Sequence, residues 1–155
     1  MVADLRRIFG TLRQAVQETA PYTWPDRNFS SAPNSLLQQP QEWIQSQSRT
    51  FRDFCFRVVG YPLSDQAYCY YSLDVELYIF YPHSVATDEL QMLKVEDAVA
   101  VQNAIGRHPE TWGGADSISF LGQQPYEWET LTDDNGEPIA SVLAIPFRIE
   151  VKNNG

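Results

Sequence analysis

Asp74 and Glu76 stand two residues apart, and so do Glu127 and Glu129. On a strand that spacing puts both members of a pair on one face. One carboxyl group could then serve as general acid and the other as general base. The groups such chemistry recruits are missing around them: neither pair has an attendant His, Lys or set of metal ligands. His83 and His108, the only histidines, each adjoin a proline and lack a spaced partner for a metal, which suits exposed loop residues. No Gly-rich phosphate loop, nucleophile elbow or HExxH helix occurs. Alternating carboxylates are common on solvated strand faces. The expectation is a protein that is not an enzyme and needs no metal or cofactor.

The first pair belongs to the run Leu73-Asp74-Val75-Glu76-Leu77-Tyr78-Ile79-Phe80. Its odd positions are aliphatic and suit a core, whereas its even positions are two carboxylates followed by two aromatics. Period-two alternation places these sets on opposite faces of a strand. The mixed face, acidic at one end and aromatic at the other, suits a surface that meets something.

With 155 residues the chain fits one domain. A domain of that size buries roughly 68–70% of its unfolded surface, so it needs no disulfide or metal to fold. The formal charge of −9 argues against gripping nucleic acid, which takes clustered Lys and Arg. Arg6 and Arg7, then Arg49, Arg52 and Arg57, read as ion-pair partners in an acidic protein. Cys55 and Cys69 each lie between aromatics and read as buried free thiols. No apolar run reaches the roughly 18 residues of a membrane span. The charged residues 1–8 do not form a signal peptide, so an intracellular protein is the default expectation.

Leu5, Ile8, Phe9, Leu12 and Val16 make one face of an amphipathic helix over residues 2–19, with Arg6, Arg13 and Gln17 left wet. Residues 21–48 hold Pro21, Pro25, Pro33 and Pro40 among many Ser, Asn and Gln, and read as an extended loop or arm. Trp24, Phe29, Leu36, Leu37 and Trp43 would dock that arm on the domain or on a neighbouring subunit, and a short helix fits 40–46. Strands follow over 50–59 and 68–81. Asp88 is positioned to cap a helix over 89–106, with Gln91 three residues on. Leu90, Ala98, Val101, Ala104 and Ile105 form its first apolar face, and Met92, Val95 and Val99 form a second one. Either the arm or another subunit would cover that second stripe. Strand segments at 117–121 and 126–132 precede the turn Asp133-Asp134-Asn135-Gly136-Glu137 and a last strand over 139–152. Pro146 predicts a bulge or an edge in that strand. The sum is an α+β domain spanning 1–155. Its sheet is mainly antiparallel, with the N-terminal and central helices packed on one face.

The element order, with "LDVELYIFYP", "SISFLG", "YEWETL" and "SVLAIPFRIEVK" as its strands, resembles the tail terminator (minor tail protein U-like) family of long-tailed bacteriophages. The resemblance covers about residues 1–20 and 50–152 and rests on element order and strand texture, since the family has no invariant short motif. The long 21–48 segment departs from it. The resemblance implies a virion protein, assembled in the host cytoplasm. It would form a ring, a hexamer, on the head-proximal end of the tail tube, stop tube polymerisation and join the tail to the neck. Its partners would be further copies of itself, tail tube protein and a neck or connector protein, with DNA only as passing cargo. On that expectation Tyr78, Phe80, Met92, Val95 and Val99 are candidates for subunit contact, and Asp74, Glu76, Glu127 and Glu129 for an acidic lumen or rim. The alternatives are another neck ring protein (a stopper or head-completion protein), a small carboxylate-dependent enzyme, and a monomeric module that binds a host factor.

Overall fold

The computed structural model describes residues 5–19, 30–36, 52–60, 70–83, 87–106, 115–120 and 124–152. In chain order the elements are α1 (Leu5–Gln17), β1 (Ser30–Leu36), β2 (Asp53–Gly60), β3 (Tyr70–Pro82), α2 (Thr87–Gly106), β4 (Ala115–Ser119), β5 (Tyr126–Thr132) and β6 (Pro138–Lys152). Six strands form one sheet in the order β1-β2-β3-β6, with β4 and β5 both paired to the far side of β6. Every pairing is antiparallel except β1 with β2. Both helices pack on one face, so the fold is α+β.

Alternation in β3 and β6 makes this two-sided sheet. Leu73, Val75, Leu77, Ile79 and Tyr81 of β3 point to the helices, as do Leu143, Ile145, Phe147, Ile149 and Val151 of β6. Phe54 and Phe56 of β2 join them. From above, α1 contributes Ile8, Phe9, Leu12 and Val16, and α2 contributes Leu90, Leu93, Ala98, Val101 and Ile105. Phe56 sits between the rings of Phe9 and Phe147, with centroids 5.7 and 6.2 Å away. Edge-on pairs at such distances add modestly to simple burial.

The opposite face carries a second, smaller core of Cys55, Tyr78, Phe80, Ala140, Val142 and Ala144, roofed by Trp128 and Leu131 of β5. Tyr78 and Trp128 stack at a tilt, 5.2 Å apart. β5 can reach over this face because its register with β6 slips between Glu127 and Glu129. A bulge of that kind bends and twists the strand that carries it. Cys55 is buried and not in a disulfide.

Three local expectations change. Ser30–Leu36 forms a strand inside the stretch read as loop. It lacks alternation and contains Pro33, so nothing in its pattern announces it. Prolines are tolerated on an edge strand, and its pairing with β2 is irregular between Ser31 and Leu36. Asp88 lies inside the first turn of α2 rather than capping it, since the helix begins at Thr87. There, with Glu89, it complements the helix dipole. Pro146 pairs opposite Glu76 with no shift in the β3–β6 register. It falls in the gap where β6 has left β5 at Ala144 and has not yet met β4 at Arg148. The expected edge is therefore local. The turn at 133–137 forms as expected: Gly136 takes φ +80°, and Asp133 Oδ1 accepts the amides of Asn135 and Glu137, both at 2.9 Å. The expected helix at 40–46, Trp24, Phe29, Leu37, Trp43, Cys69 and His108 fall outside the described residues.

Candidate functional site

The sheet separates the expected site residues into three groups. Met92, Val95 and Val99 are 59%, 65% and 50% exposed on the outer side of α2. Their spacing of three and four residues keeps them on one helical stripe, turned away from the face that Leu90, Leu93 and Val101 bury. Beside the stripe runs a groove of about 330 Å³ between α2 and the start of β5, lined by Val95, Ala98, Val99, Pro125, Tyr126 and Leu143. Its lining is mainly apolar, with three glutamines and the Lys94–Glu127 ion pair as its polar part.

Tyr78 and Phe80 do not belong to that surface, which corrects the expectation that they form a contact face. They are 0% and 7% exposed, covered within the chain by Trp128 and Leu131. The alternation of β3 correctly placed them opposite the main core. It could not reveal that β5 folds back over them. A bulge at Trp128 has no signature in the run Tyr126-Glu127-Trp128-Glu129.

The four carboxylates are also divided. Asp74 pairs with Arg148, whose Nε donates at 2.8 Å, on the open side of the sheet. Both partners are well solvated, so the pair adds little to stability. Glu76 accepts hydrogen bonds from the hydroxyls of Tyr78, at 3.1 Å, and of Tyr126. Burial and the neighbouring Glu76 charge push the Tyr78 phenol up to about 12, and burial followed by the hydrogen bond to Glu76 raises Tyr126. Asp74, Glu76, Tyr126, Pro146 and Arg148 line an open cleft of about 480 Å³. Glu127 instead crosses to the helix side and pairs with Lys94 of α2. Glu129 is exposed on β5. The two strand pairs therefore do not converge on one surface, and the Asp74 and Glu76 oxygens are engaged within the chain.

A polar cluster that sequence reasoning missed anchors the base of α2. Asp97 is buried, and its carboxylate accepts Nε of Arg52 at 3.0 Å, a second guanidinium nitrogen of Arg52, and the Tyr81 hydroxyl at 2.7 Å. Arg52 is fully buried and held at φ 67°, just ahead of β2. Its amide donates to the Phe80 carbonyl at 2.7 Å. Burial pushes the Asp97 carboxyl up, while the bonds from Arg52 and Tyr81 hold it back. Arg52 was expected to be an ion-pair partner; Asp97 had no distinguishing neighbour in the sequence. Lys94 lies 5.8 Å over the Tyr81 ring on its way to Glu127.

His83 directly follows β3, with Nε2 3.2 Å from the Ser141 hydroxyl. Burial and then the Lys94 charge lower its pKa from 6.5. The unfolded chain therefore binds the proton more readily than the folded one. The stabilisation is complete above the unfolded pKa and is lost as pH falls below it. Chemical denaturation between pH 7.5 and 5.5 should show stability falling, and His83→Gln should flatten that fall. An unchanged slope would mean that His83 does not carry it.

No helix among the described residues is long and apolar enough to cross a membrane. Among the same residues no group of three His, Cys, Asp or Glu could hold a metal. Comparison of the sequence with models of known protein families and with curated protein sequences gives no match.

Proposed function

We propose that the chain is a structural protein that builds a ring on the head-proximal end of a phage tail tube, ends tube growth and joins the tail to the neck. The observation that carries this reading is the exposed stripe of Met92, Val95 and Val99 on a helix whose other face is fully committed to the core. Three large apolar side chains in a row beside an apolar groove mark a surface built for macromolecular contact. The α+β architecture, with both helices on one face of a mainly antiparallel sheet, agrees with the element order on which the resemblance to tail terminators rests. The formal charge of −9 suits a ring through which DNA passes without being held.

The test is polymerisation of tail tube protein with and without the purified chain. Tubes should stop at finite length, with the chain found at one end only. Tubes of unchanged length would remove the terminator reading. Binding to a connector without any effect on tubes would favour another neck ring protein instead.

A further inference from the structure

We propose that the groove between α2 and β5 of one copy receives α1 of the next copy, with Met92, Val95 and Val99 packing around Gly10. The inference rests on the self-assembling reading above and names the two surfaces that would meet.

The first argument is shape. Arg7, Gly10, Gln14 and Gln17 are the outward residues of α1, spaced three, four and three apart along one stripe. Gly10 interrupts an otherwise sound helix, and glycine weakens a helix interior relative to alanine. Nothing among the described residues explains it, since a methyl group there would meet none of their atoms within 4 Å. A glycine on an exposed helical face leaves room for a close approach from outside. The α2 stripe supplies what such a notch fits: side chains at matching three- and four-residue spacing, over a floor of Leu143 and Tyr126.

Charge is the second argument. Arg6, Arg7 and Arg13 give α1 a formal charge of +3, with no acid in Leu5–Gln17. Asp88, Glu89, Glu96 and Asp97 against Lys94 leave α2 at −3, and β5 adds Glu127 and Glu129. Within the chain Asp97 is tied to Arg52 and Glu127 to Lys94. That leaves Asp88 and Glu89 exposed in the first turn of α2. A helix of net positive charge, with Arg7 on its outward stripe, complements a helix of net negative charge.

Position is the third. α1 touches β1 and α2, whereas α2 touches β4 and β6 with its groove on the β5 side. In the sheet order β1 is one edge, and β4 and β5 form the other. The two surfaces differ and lie on opposite flanks, which is the arrangement of a head-to-tail contact rather than a two-fold dimer. Seated in the groove, the neighbour's α1 would continue the helical layer across the subunit boundary.

The experiment is sedimentation velocity over a concentration series on the full chain and two variants, Val95→Asp and Gly10→Trp. Wild type should associate, and added salt should weaken it. Each variant should sediment as a monomer while keeping the wild-type circular dichroism spectrum. An equimolar mixture of the two should give a heterodimer and nothing larger, because each retains the surface the other has lost. If Gly10→Trp fails to fold, Arg7→Glu takes its place with the same expected outcome. A wild-type monomer at every concentration, association of either variant as in wild type, or a mixture without heterodimer would overturn the proposal. Tube length, measured separately, distinguishes the two readings. A wild-type monomer that still ends tubes removes only this interface, and an assembling chain that leaves tubes uncontrolled removes only the function.

Discussion

Asp97→Ala should destabilise the fold by about 3–5 kcal/mol, the usual cost of removing one member of a buried ion pair. Arg52 is fully buried, and its Nε and a second guanidinium nitrogen donate to Asp97. Without the carboxylate the buried guanidinium loses these two bonds, and the Tyr81 hydroxyl loses its bond to Asp97 too. The loss is compounded by backbone geometry. A non-glycine residue in the left-handed region costs of order 1–3 kcal/mol and persists only where its surroundings hold it. Arg52, at φ 67°, is held there by the ion pair and by its amide bond to Phe80. Urea denaturation should therefore show a lower midpoint with an unchanged slope. The double replacement Arg52→Met with Asp97→Leu should recover most of the loss, because a matched apolar pair removes both desolvation costs. If Asp97→Ala alone unfolds as wild type does, the network is not what seats α2.

Trp128→Ala should cost about 3 kcal/mol, the low end for deleting a large aromatic, because the indole is only half-buried. Its second effect is more specific. Trp128 stacks on Tyr78, whose phenol is pushed up to about 12, first by burial. Removing the indole admits water, so an ultraviolet titration should find that phenol moving back towards 10.0. In wild type the raised value means that stability is complete below the unfolded pKa and is lost as pH rises from there towards 12. The variant should lose that alkaline dependence. Retention of a phenol near 12 in Trp128→Ala would show that Glu76, rather than burial, sets it.

Much of the architecture was legible because β3 and β6 alternate cleanly and α1 carries a single apolar stripe. Those patterns state which face is inward without reference to neighbours. The second stripe of α2 was legible for the same reason: Met92, Val95 and Val99 fit no core face, and they are exposed. What escaped notice depends on partners far away in sequence. Asp97 looks like any surface acid of an acidic helix until Arg52, 45 residues earlier, meets it. Tyr78 and Phe80 look like a sticky surface until a bulged β5 roofs them. β1 is a strand because β2 offers it hydrogen bonds, whereas its own residues, with Pro33 among them, do not ask to be one. The carboxylate pairs show the limit of spacing: Asp74 and Glu76 stayed together, but the β5 pair was split across the sheet.

The place of β6 in the sheet has a consequence for synthesis. It binds β3, β4 and β5, yet it follows all three in the chain. Until residues 138–152 leave the ribosome, β3 has an open edge and the emerging chain has no central strand around which to close. Folding must therefore wait for the last strand and then form its long-range pairings together, which favours slow, late and cooperative closure. During that interval the unpaired strands are the species most exposed to aggregation and to capture by chaperones.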